Sequence, residues 1–129
     1  MTKKKILVID DNEDFCEITK QYLHHTWRYK VLTAQNGPVG IDLARKHRPD
    51  VILLDIKMPV MDGGKVAEYL MEDLSTSNIP IIFLTGLVMA EEVKEGGGYI
   101  AGHPFIAKPF RIEELTERIE SVAAASRAA

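Results

Sequence analysis

Short apolar runs alternate with stretches of helical periodicity along the chain, and this alternation limits the fold more than any other feature of the sequence. The runs are Ile6–Ile9, Tyr29–Ala34, Val51–Leu54, Ile81–Leu84 and the weaker Phe105–Ala107. Runs of this length that are rich in Ile, Val and Leu and are bounded by Asp, Gly or Pro are typical of strands. Apolar residues recur every three or four positions in the segments between them, which predicts five strand–helix pairs.

This alternation predicts a doubly wound α/β fold. Parallel βαβ units with right-handed crossovers build a five-stranded parallel sheet with helices on both faces. Strands buried on both faces have unbroken apolar runs, whereas edge strands are short or carry charged residues. The first, third and fourth runs are therefore expected at the centre of the sheet, and the second and fifth at its edges. The flavodoxin-like strand order 2-1-3-4-5 satisfies this arrangement.

The helices have recognisable starts and apolar stripes. Asp11 or Asn12 is placed to cap the first, Asn36-Gly37-Pro38 opens the second, and Asp62-Gly63 opens the third. The stripes are Phe15, Ile18, Tyr22 and Leu23 in the first helix, Ile41 and Ala44 in the second, Val66, Leu70 and Leu74 in the third, and Ile112, Leu115, Ile119 and Val122 in the last. A further helix over 88–95 is followed at once by Gly96-Gly97-Gly98. Because each interior glycine costs a helix about 1 kcal/mol, we expect it to be short or mobile.

Length and composition narrow the class of protein. A chain of 129 residues is the size of one domain, and its 46% hydrophobic and 27% charged residues exclude wholesale disorder. The net charge of −3 is too acidic for a protein whose main partner is nucleic acid. Cys16 is the single cysteine, so no intrachain disulfide can form, which favours a reducing compartment. No apolar run approaches the roughly 18 residues of a membrane helix. We expect a soluble cytoplasmic protein with one domain over residues 1–122, followed over 123–129 by a frayed helix end or truncated linker.

Polar residues follow four of the predicted strands at the point where each strand ends. They are Asp10 and Asp11 after the first, Asp55 after the third, Thr85 and Gly86 after the fourth, and Lys108 after the fifth. Taken singly, each has an ordinary explanation as a helix cap, a turn residue or a solvated side chain. The carboxyl ends of parallel strands, however, meet at one edge of the sheet, where ligands bind. We therefore interpret the set as one site.

The charges of this set favour a divalent cation. Three carboxylates and one ammonium group leave two net negative charges, and unit charges about 4 Å apart repel by about 4 kcal/mol at an effective dielectric constant near 20. Oxygen ligands without histidine or cysteine favour a hard ion, and a partly hydrated site favours Mg²⁺ over Ca²⁺. The four histidines lie on other elements without ligand spacing (His24, His25, His47 and His103). We interpret them as surface or structural residues.

A hard cation beside a carboxylate, a hydroxyl and a lysine is suited to phosphoryl transfer. Asp55 is the candidate nucleophile, because carboxylates form aspartyl-phosphate intermediates. Lys108 would neutralise phosphoryl oxygens, and Thr85 would donate a hydrogen bond to one of them. Gly86 has no side chain and leaves room for the incoming group.

As a set, these residues resemble the receiver domains of two-component response regulators. The resemblance covers residues 4–122 and rests on Asp10-Asp11, Asp55 with Lys57-Met58-Pro59 and Met61-Asp62-Gly63, Thr85-Gly86 and Lys108-Pro109-Phe110. It implies that Asp55 accepts a phosphoryl group from a phosphohistidine. It also implies that Asp11, Asp55 and the Lys57 carbonyl bind Mg²⁺ directly and Asp10 through water, and that the Lys108–Pro109 bond is cis. Thr85 and Phe105 would switch position on phosphorylation.

The resemblance also implies partners. They are a sensor histidine kinase or phosphotransfer protein as donor, and a downstream protein target or output domain as receiver of the signal, with a phosphorylation-dependent dimer as a further option. This role in a phosphorelay is signal relay, so we do not expect an enzyme, nor a direct nucleic-acid or membrane partner. The glycine-rich segment between Val88 and Pro104 departs from the family pattern, which leaves the mode of partner docking open.

Three alternatives remain open on the sequence alone. One is a receiver-like docking module that acts without phosphorylation. Another is a flavodoxin-like cofactor-binding protein, although Asp11-Asn12-Glu13-Asp14 would repel a phosphate from the first loop. A third is an aspartate-nucleophile phosphatase, in which a second Asp would stand at the position of Asn12.

Overall fold

Six strands form one sheet and four helices cover its faces in the computed structural model, which describes residues 3–86, 99–100 and 102–128. The strands are β1 (Lys4–Ile9), β2 (Tyr29–Ala34), β3 (Val51–Asp55), β4 (Ile81–Gly86), β5 (Tyr99–Ile100) and β6 (His103–Lys108). The helices are α1 (Glu13–His25), α2 (Gly37–His47), α3 (Gly63–Glu72) and α4 (Ile112–Ala128). The strand order is β2-β1-β3-β4-β6-β5.

The five predicted strands are confirmed, and they pair in parallel in the predicted order. The prediction that the fifth of them forms an edge is wrong, because β5 pairs with β6 in antiparallel fashion on its outer side. A strand of two residues is too short to give a periodic signal in the sequence. Gly102 follows it with a φ angle of 82°, a left-handed conformation that glycine adopts without strain.

The two faces of the sheet carry separate hydrophobic clusters. On one face, α2 and α3 contribute Ile41, Ala44, Val66 and Leu70, which pack with alternate strand residues such as Leu54. On the other face, α1 and α4 contribute Cys16, Leu23, Leu115 and Ile119, which pack with the residues between them, such as Leu53. Every residue of β3 is buried, as expected for a central strand covered on both sides.

The predicted helix starts are confirmed. The side chains of Asn12, Asn36 and Asp62 accept hydrogen bonds from the backbone N–H groups of Phe15, Val39 and Lys65. The stripe predicted for α1 is partly wrong. Cys16, Thr19 and Leu23 are its buried residues, whereas Ile18 and Tyr22 are half exposed. The buried face of α1 is rotated by one position from the predicted stripe. The prediction missed this face because Cys16 and Thr19 did not contribute to the apolar periodicity.

Two further predictions concern α3 and α4. Leu74 lies beyond the end of α3 and is exposed, so its assignment to the apolar stripe of that helix is wrong. Helix α4 continues to Ala128, so helix extends through most of residues 123–129, the segment expected to be a frayed helix end or a truncated linker. The predicted helix over 88–95, with the glycines that follow it, lies outside the described residues.

A partly buried polar network ties α4 to the sheet. Glu120 accepts hydrogen bonds from the Lys4 ammonium group at 2.8 Å and from the Tyr29 hydroxyl at 2.6 Å. Tyr29 is fully buried, so its hydroxyl needs this partner. The network joins the amino-terminal ends of β1 and β2 to the last helix. In the described part of the chain, no helix has the length and apolar character needed to cross a membrane.

Candidate functional site

The carboxyl ends of β1 and β3 bring three acidic side chains together. Ile9 is paired with Leu54, so Asp10 and Asp55, the next residue in each chain segment, lie at the same level of the sheet. Asp11 follows directly. One carboxylate oxygen from each of the three aspartates lies within 4.8 Å of the others. The convergence predicted from the strand ends is therefore present in the structure.

Lys108 joins this acidic cluster from β6. Its ammonium nitrogen lies 2.5 Å from Oδ2 of Asp10 and 3.6 Å from Oδ1 of Asp55. Asp10 is fully buried, and its other oxygen accepts a hydrogen bond from the Asn12 backbone N–H at 2.9 Å. A buried carboxylate requires such partners, because burial without them is costly. The Lys108–Pro109 peptide bond, next along the chain, is cis.

The surroundings of Asp55 disturb the ionisation of its carboxyl group. Its pKa is raised from 3.8 to about 6, first by burial and then by the negative charge of Asp10. Lys108 acts in the opposite direction, and Asp11 adds a smaller upward contribution to the pKa. Asp55 is therefore ionised near neutral pH, but its negative charge is poorly compensated. A cation bound among the three aspartates would stabilise that charge.

Thr85 stands at the end of β4, where the sequence placed it, and is buried. Its hydroxyl donates a long hydrogen bond of 3.4 Å to the Gly86 carbonyl oxygen, so the group is held weakly. Within the part of the chain that the structure describes, a Cβ added at Gly86 would meet no heavy atom within 4 Å, so no described residue fills the space that Gly86 is expected to leave.

Phe105 and Lys57 are the other predicted site residues. Phe105 is buried in the same hydrophobic cluster as its strand partner Phe83. Because side chains alternate along a strand, Thr85 lies on the same face of the sheet as these two rings. Lys57 is exposed in the loop between β3 and α3, two residues beyond Asp55.

Phe15 belongs to the site, although the sequence assigned it only to the apolar stripe of α1. The ammonium nitrogen of Lys108 lies 4.2 Å from the centroid of its ring, within the range of a cation–π interaction. Phe110 packs edge-on against the same ring at 5.9 Å. Helix α1 begins directly after Asp11 and Asn12, so its first turn borders the site. The short distance along the chain from Asp11 to Phe15 is the feature of the sequence that could have indicated this role.

Two other residues contact the backbone of the site aspartates. The Cys16 thiol donates a hydrogen bond to the Asp10 carbonyl oxygen at 3.3 Å, and burial raises its pKa to about 11, so the thiol stays protonated. Gly63 packs directly against the backbone of Asp55, where an added Cβ would lie 2.3 Å from the Asp55 carbonyl oxygen. Neither contact was predicted from the sequence.

Comparisons with known proteins agree with this geometry. The chain is 31% identical over 121 residues to the polar-differentiation response regulator DivK of Brucella anthropi, covering 92% of this chain and 94% of DivK. It is 32% identical over 123 residues to histidine kinase P4 of Formosa agariphila, where the match spans 93% of this chain but 8% of the kinase. The structure of chemotaxis protein CheY4 of Vibrio cholerae aligns with a TM-score of 0.81 at 29% identity, over 94% of this chain and 99% of that one.

The family model of the response regulator receiver domain matches residues 6–120. That match covers every residue described above at the carboxyl ends of the strands. Since it extends over most of the sequence, the chain belongs to the response regulator receiver domains, the phosphoacceptor signalling modules of two-component systems.

Proposed function

We propose that Asp55 takes the phosphoryl group in this receiver domain, from a phosphohistidine of a sensor histidine kinase or phosphotransfer protein. The observation that carries the proposal is the position of its carboxylate, which lies both within the three-aspartate cluster and 3.6 Å from the Lys108 ammonium group. Asp10 is fully buried and already paired with Lys108 at 2.5 Å, and Asp11 is exposed on the rim. Asp55 is thus the carboxylate that has cationic help and, unlike Asp10, keeps some exposure to solvent.

The acidic cluster fits Mg²⁺. The donors are carboxylate oxygens, which hard cations prefer, and they are close enough to share one ion. Asp11 and Asp55 would bind it directly together with the Lys57 carbonyl, and Asp10 would act through water. When bound, the ion neutralises negative charge on the carboxylates and on the incoming phosphoryl oxygens.

In the reaction, an oxygen of Asp55 attacks phosphorus and the phosphorus–nitrogen bond of the phosphohistidine breaks. The bonding electron pair returns to the imidazole nitrogen, which takes a proton from solvent. Lys108 stabilises the negative charge that is spread over the phosphoryl oxygens. Among the described residues, the Thr85 hydroxyl is held by its weak bond to Gly86, and it can turn to donate to one of those oxygens.

We further propose that Thr85 and Phe105 transmit the change to a partner surface. Both lie on the same face of the sheet, on the neighbouring strands β4 and β6. A phosphoryl group that draws the Thr85 hydroxyl toward the acidic cluster alters the packing available to Phe105. The receiver of that signal would be a downstream protein, an output domain or a second copy of the chain.

Intact mass spectrometry tests the proposal. With acetyl phosphate and Mg²⁺, the wild-type protein is expected to gain the mass of one phosphoryl group, and the Asp55→Asn variant to gain none. Asp62→Asn is the matched control, because it makes the same change from carboxylate to amide and asparagine also caps helices. It should be phosphorylated like the wild type. An unchanged mass of the wild-type protein would instead favour a docking module that acts without phosphorylation.

Phe15 is expected to support Lys108 in this reaction. Replacing Phe15 by Leu keeps apolar volume but removes the ring beneath the ammonium group, a contact worth about 0.5–1 kcal/mol at a partly exposed site. Phosphorylation by acetyl phosphate should slow by about two- to fivefold. Phe15→Tyr keeps the ring and should retain the wild-type rate. Initial rates at saturating Mg²⁺ measure both variants, and equal rates for Phe15→Leu and wild type would contradict this role.

A further inference from the structure

A cavity of about 330 Å³ lies between α1 and the segment that joins β6 to α4. We call it the aromatic cavity, because three of its lining side chains carry rings. The residues that form its walls include Phe15, Ile18, Tyr22, Lys108, Phe110 and Ile112. We propose that the aromatic cavity binds a small, neutral molecule with one or two aromatic rings.

Helix α1 presents apolar side chains to this cavity in addition to the face that it buries against the sheet. Ile18 and Tyr22 are 50% and 57% exposed, and neither is among the residues that form the two hydrophobic clusters of the core. Single exposed apolar residues are ordinary on a protein surface. These two, however, lie one helical turn apart and line one concavity together with Phe110 and Ile112. Apolar residues that converge in this way are typical of a binding site.

The volume of the aromatic cavity favours a small molecule over a helix of a partner protein. It lies at the lower end of the range of about 300–1,000 Å³ that is typical of ligand sites. One turn of an α-helix with its side chains is about 10 Å wide and about 5.4 Å long, so it would fill about 420 Å³. The cavity cannot enclose such a turn, whereas a molecule with one or two rings fits within it.

The rings of the lining favour an aromatic ligand. Phe15 and Phe110 pack edge-on, with their ring centroids 5.9 Å apart and an angle of 89° between the ring planes. Aromatic rings prefer edge-to-face or offset arrangements with centroids about 4.5–7 Å apart, and such pairs are more stable than their buried area alone explains. A planar guest beside Phe110 and Tyr22 would add further pairs of this kind. An aliphatic guest of the same volume would gain only the burial of its surface.

The charge of the lining favours a neutral ligand. Lys108 is the charged residue among those that line the cavity in the described part of the chain. Its ammonium group is already compensated, because it lies 2.5 Å from Asp10 and 3.6 Å from Asp55. An anion would have to compete with these carboxylates, and a cation would be repelled by the ammonium group. Thr19 and Tyr22 supply hydroxyl groups, which can bond one polar atom of a neutral ligand.

Lys108 and Phe15 belong both to the aromatic cavity and to the site at the acidic cluster. The Lys108 ammonium nitrogen lies 4.2 Å from the centroid of the Phe15 ring. A ligand packed against that ring and the Lys108 side chain restricts the adjustment of the ammonium group to the phosphoryl oxygens. We therefore expect the bound ligand to slow phosphorylation. This effect, unlike the binding itself, rests on the proposed function of Asp55.

Titration of the ¹⁵N-labelled protein with 2-naphthol, followed by NMR, tests the binding. This probe has two aromatic rings and is neutral at neutral pH. The backbone amide signals of Ile18, Tyr22 and Phe110 are expected to shift saturably. Decahydro-2-naphthol has the same skeleton without aromatic rings, and 2-naphthoate has the rings with a negative charge. Each of these two should bind at least about fivefold more weakly than 2-naphthol.

Variants locate the bound probe. Ile18→Trp enlarges a half-exposed side chain on the cavity wall, so it should leave the fold intact and weaken 2-naphthol binding at least about tenfold. Met71→Trp makes the same kind of enlargement at a position of α3 that is 43% exposed, and it should bind like the wild type. Asp55→Asn should also bind 2-naphthol normally. Failure of the phosphoacceptor proposal would therefore leave this binding unchanged.

Saturating 2-naphthol is expected to slow phosphorylation of the wild-type protein by acetyl phosphate at least about twofold. An unchanged rate would overturn the coupling through Lys108. The absence of saturable shifts, or equal weakening by Met71→Trp, would overturn the site, and tighter binding of either analogue would overturn the class of ligand. A dimer in sedimentation that Ile18→Glu disrupts, without a response to 2-naphthol, would assign this surface to a second copy of the chain and overturn the inference.

Discussion

The Asp55→Asn variant is expected to be more stable than the wild-type protein by about 2–3 kcal/mol near neutral pH when no metal is bound. The pKa of Asp55 is raised from 3.8 to about 6 in the folded protein, mainly by burial and by Asp10. The folded state therefore binds its proton more tightly than the unfolded state does. Above pH 6 the folded state holds Asp55 in its ionised form, which lowers the free energy of unfolding. The neutral amide of the variant does not have this cost.

The sign of the pH dependence follows from the same shift. Between pH 3.8 and about 6 the folded state holds more protons than the unfolded state, so the contribution of Asp55 to stability falls as the pH rises through this window. Below the window the carboxyl group is protonated in both states, and the advantage of Asp55→Asn should vanish. Urea denaturation with a chelator, at neutral pH and below pH 3.8, measures both differences.

Added Mg²⁺ should reduce this difference in stability. An ion that binds the folded state alone stabilises it by mass action, and the wild-type cluster has one more carboxylate for it than the variant. The gain in stability on adding Mg²⁺ should thus be larger for the wild-type protein. Asp62→Asn, which leaves the cluster intact, should follow the wild type throughout. A metal-free Asp55→Asn protein less stable than the wild type at neutral pH would show that the Asp55 charge is well compensated.

The parallel sheet and most of the site could be predicted from the sequence because both follow from strong, local patterns. Unbroken apolar runs mark strands that are buried on both faces, and β3, the most apolar of them, is fully buried. Once the strand order is known, Asp10, Asp55 and Lys108 are expected at one edge of the sheet, since the carboxyl ends of parallel strands share it. That placement required no information about side-chain packing.

Features that depend on tertiary contacts were missed. The strand β5 has two residues and gives no periodic signal. The buried face of α1 includes Thr19, which apolar periodicity does not count. A phenylalanine at position 15 is equally compatible with packing in the core and with a contact to an ammonium group. The position of Lys108 in the folded structure shows that the second contact is made. Each of these depends on neighbours that are distant along the chain.

Gly63 shows how closely the loop after β3 must pack, and replacing it by Ala is expected to destabilise the protein by about 3 kcal/mol. A Cβ at this position would lie 2.3 Å from the Asp55 carbonyl oxygen and 2.8 Å from the Ile56 Cα. Both are backbone atoms, which cannot rotate away as a side chain can. The Gly63 N–H also donates to the Ile56 carbonyl oxygen at 2.8 Å, so the two segments cannot separate without losing that bond.

Gly64 provides a matched control within the same helical turn. A Cβ there would meet only the Oδ1 atom of Asp62, a side-chain atom, at 3.3 Å. Both substitutions reduce the freedom of the unfolded chain equally, so the difference between them isolates the close approach of α3 to β3. Gly64→Ala should remain within about 1 kcal/mol of the wild type in urea denaturation. The methyl group introduced by Gly63→Ala must displace the backbone that carries Asp55. The folded variant should therefore also be phosphorylated more slowly than Gly64→Ala. Equal stabilities and equal phosphorylation rates for the two variants would contradict the tight packing of this loop.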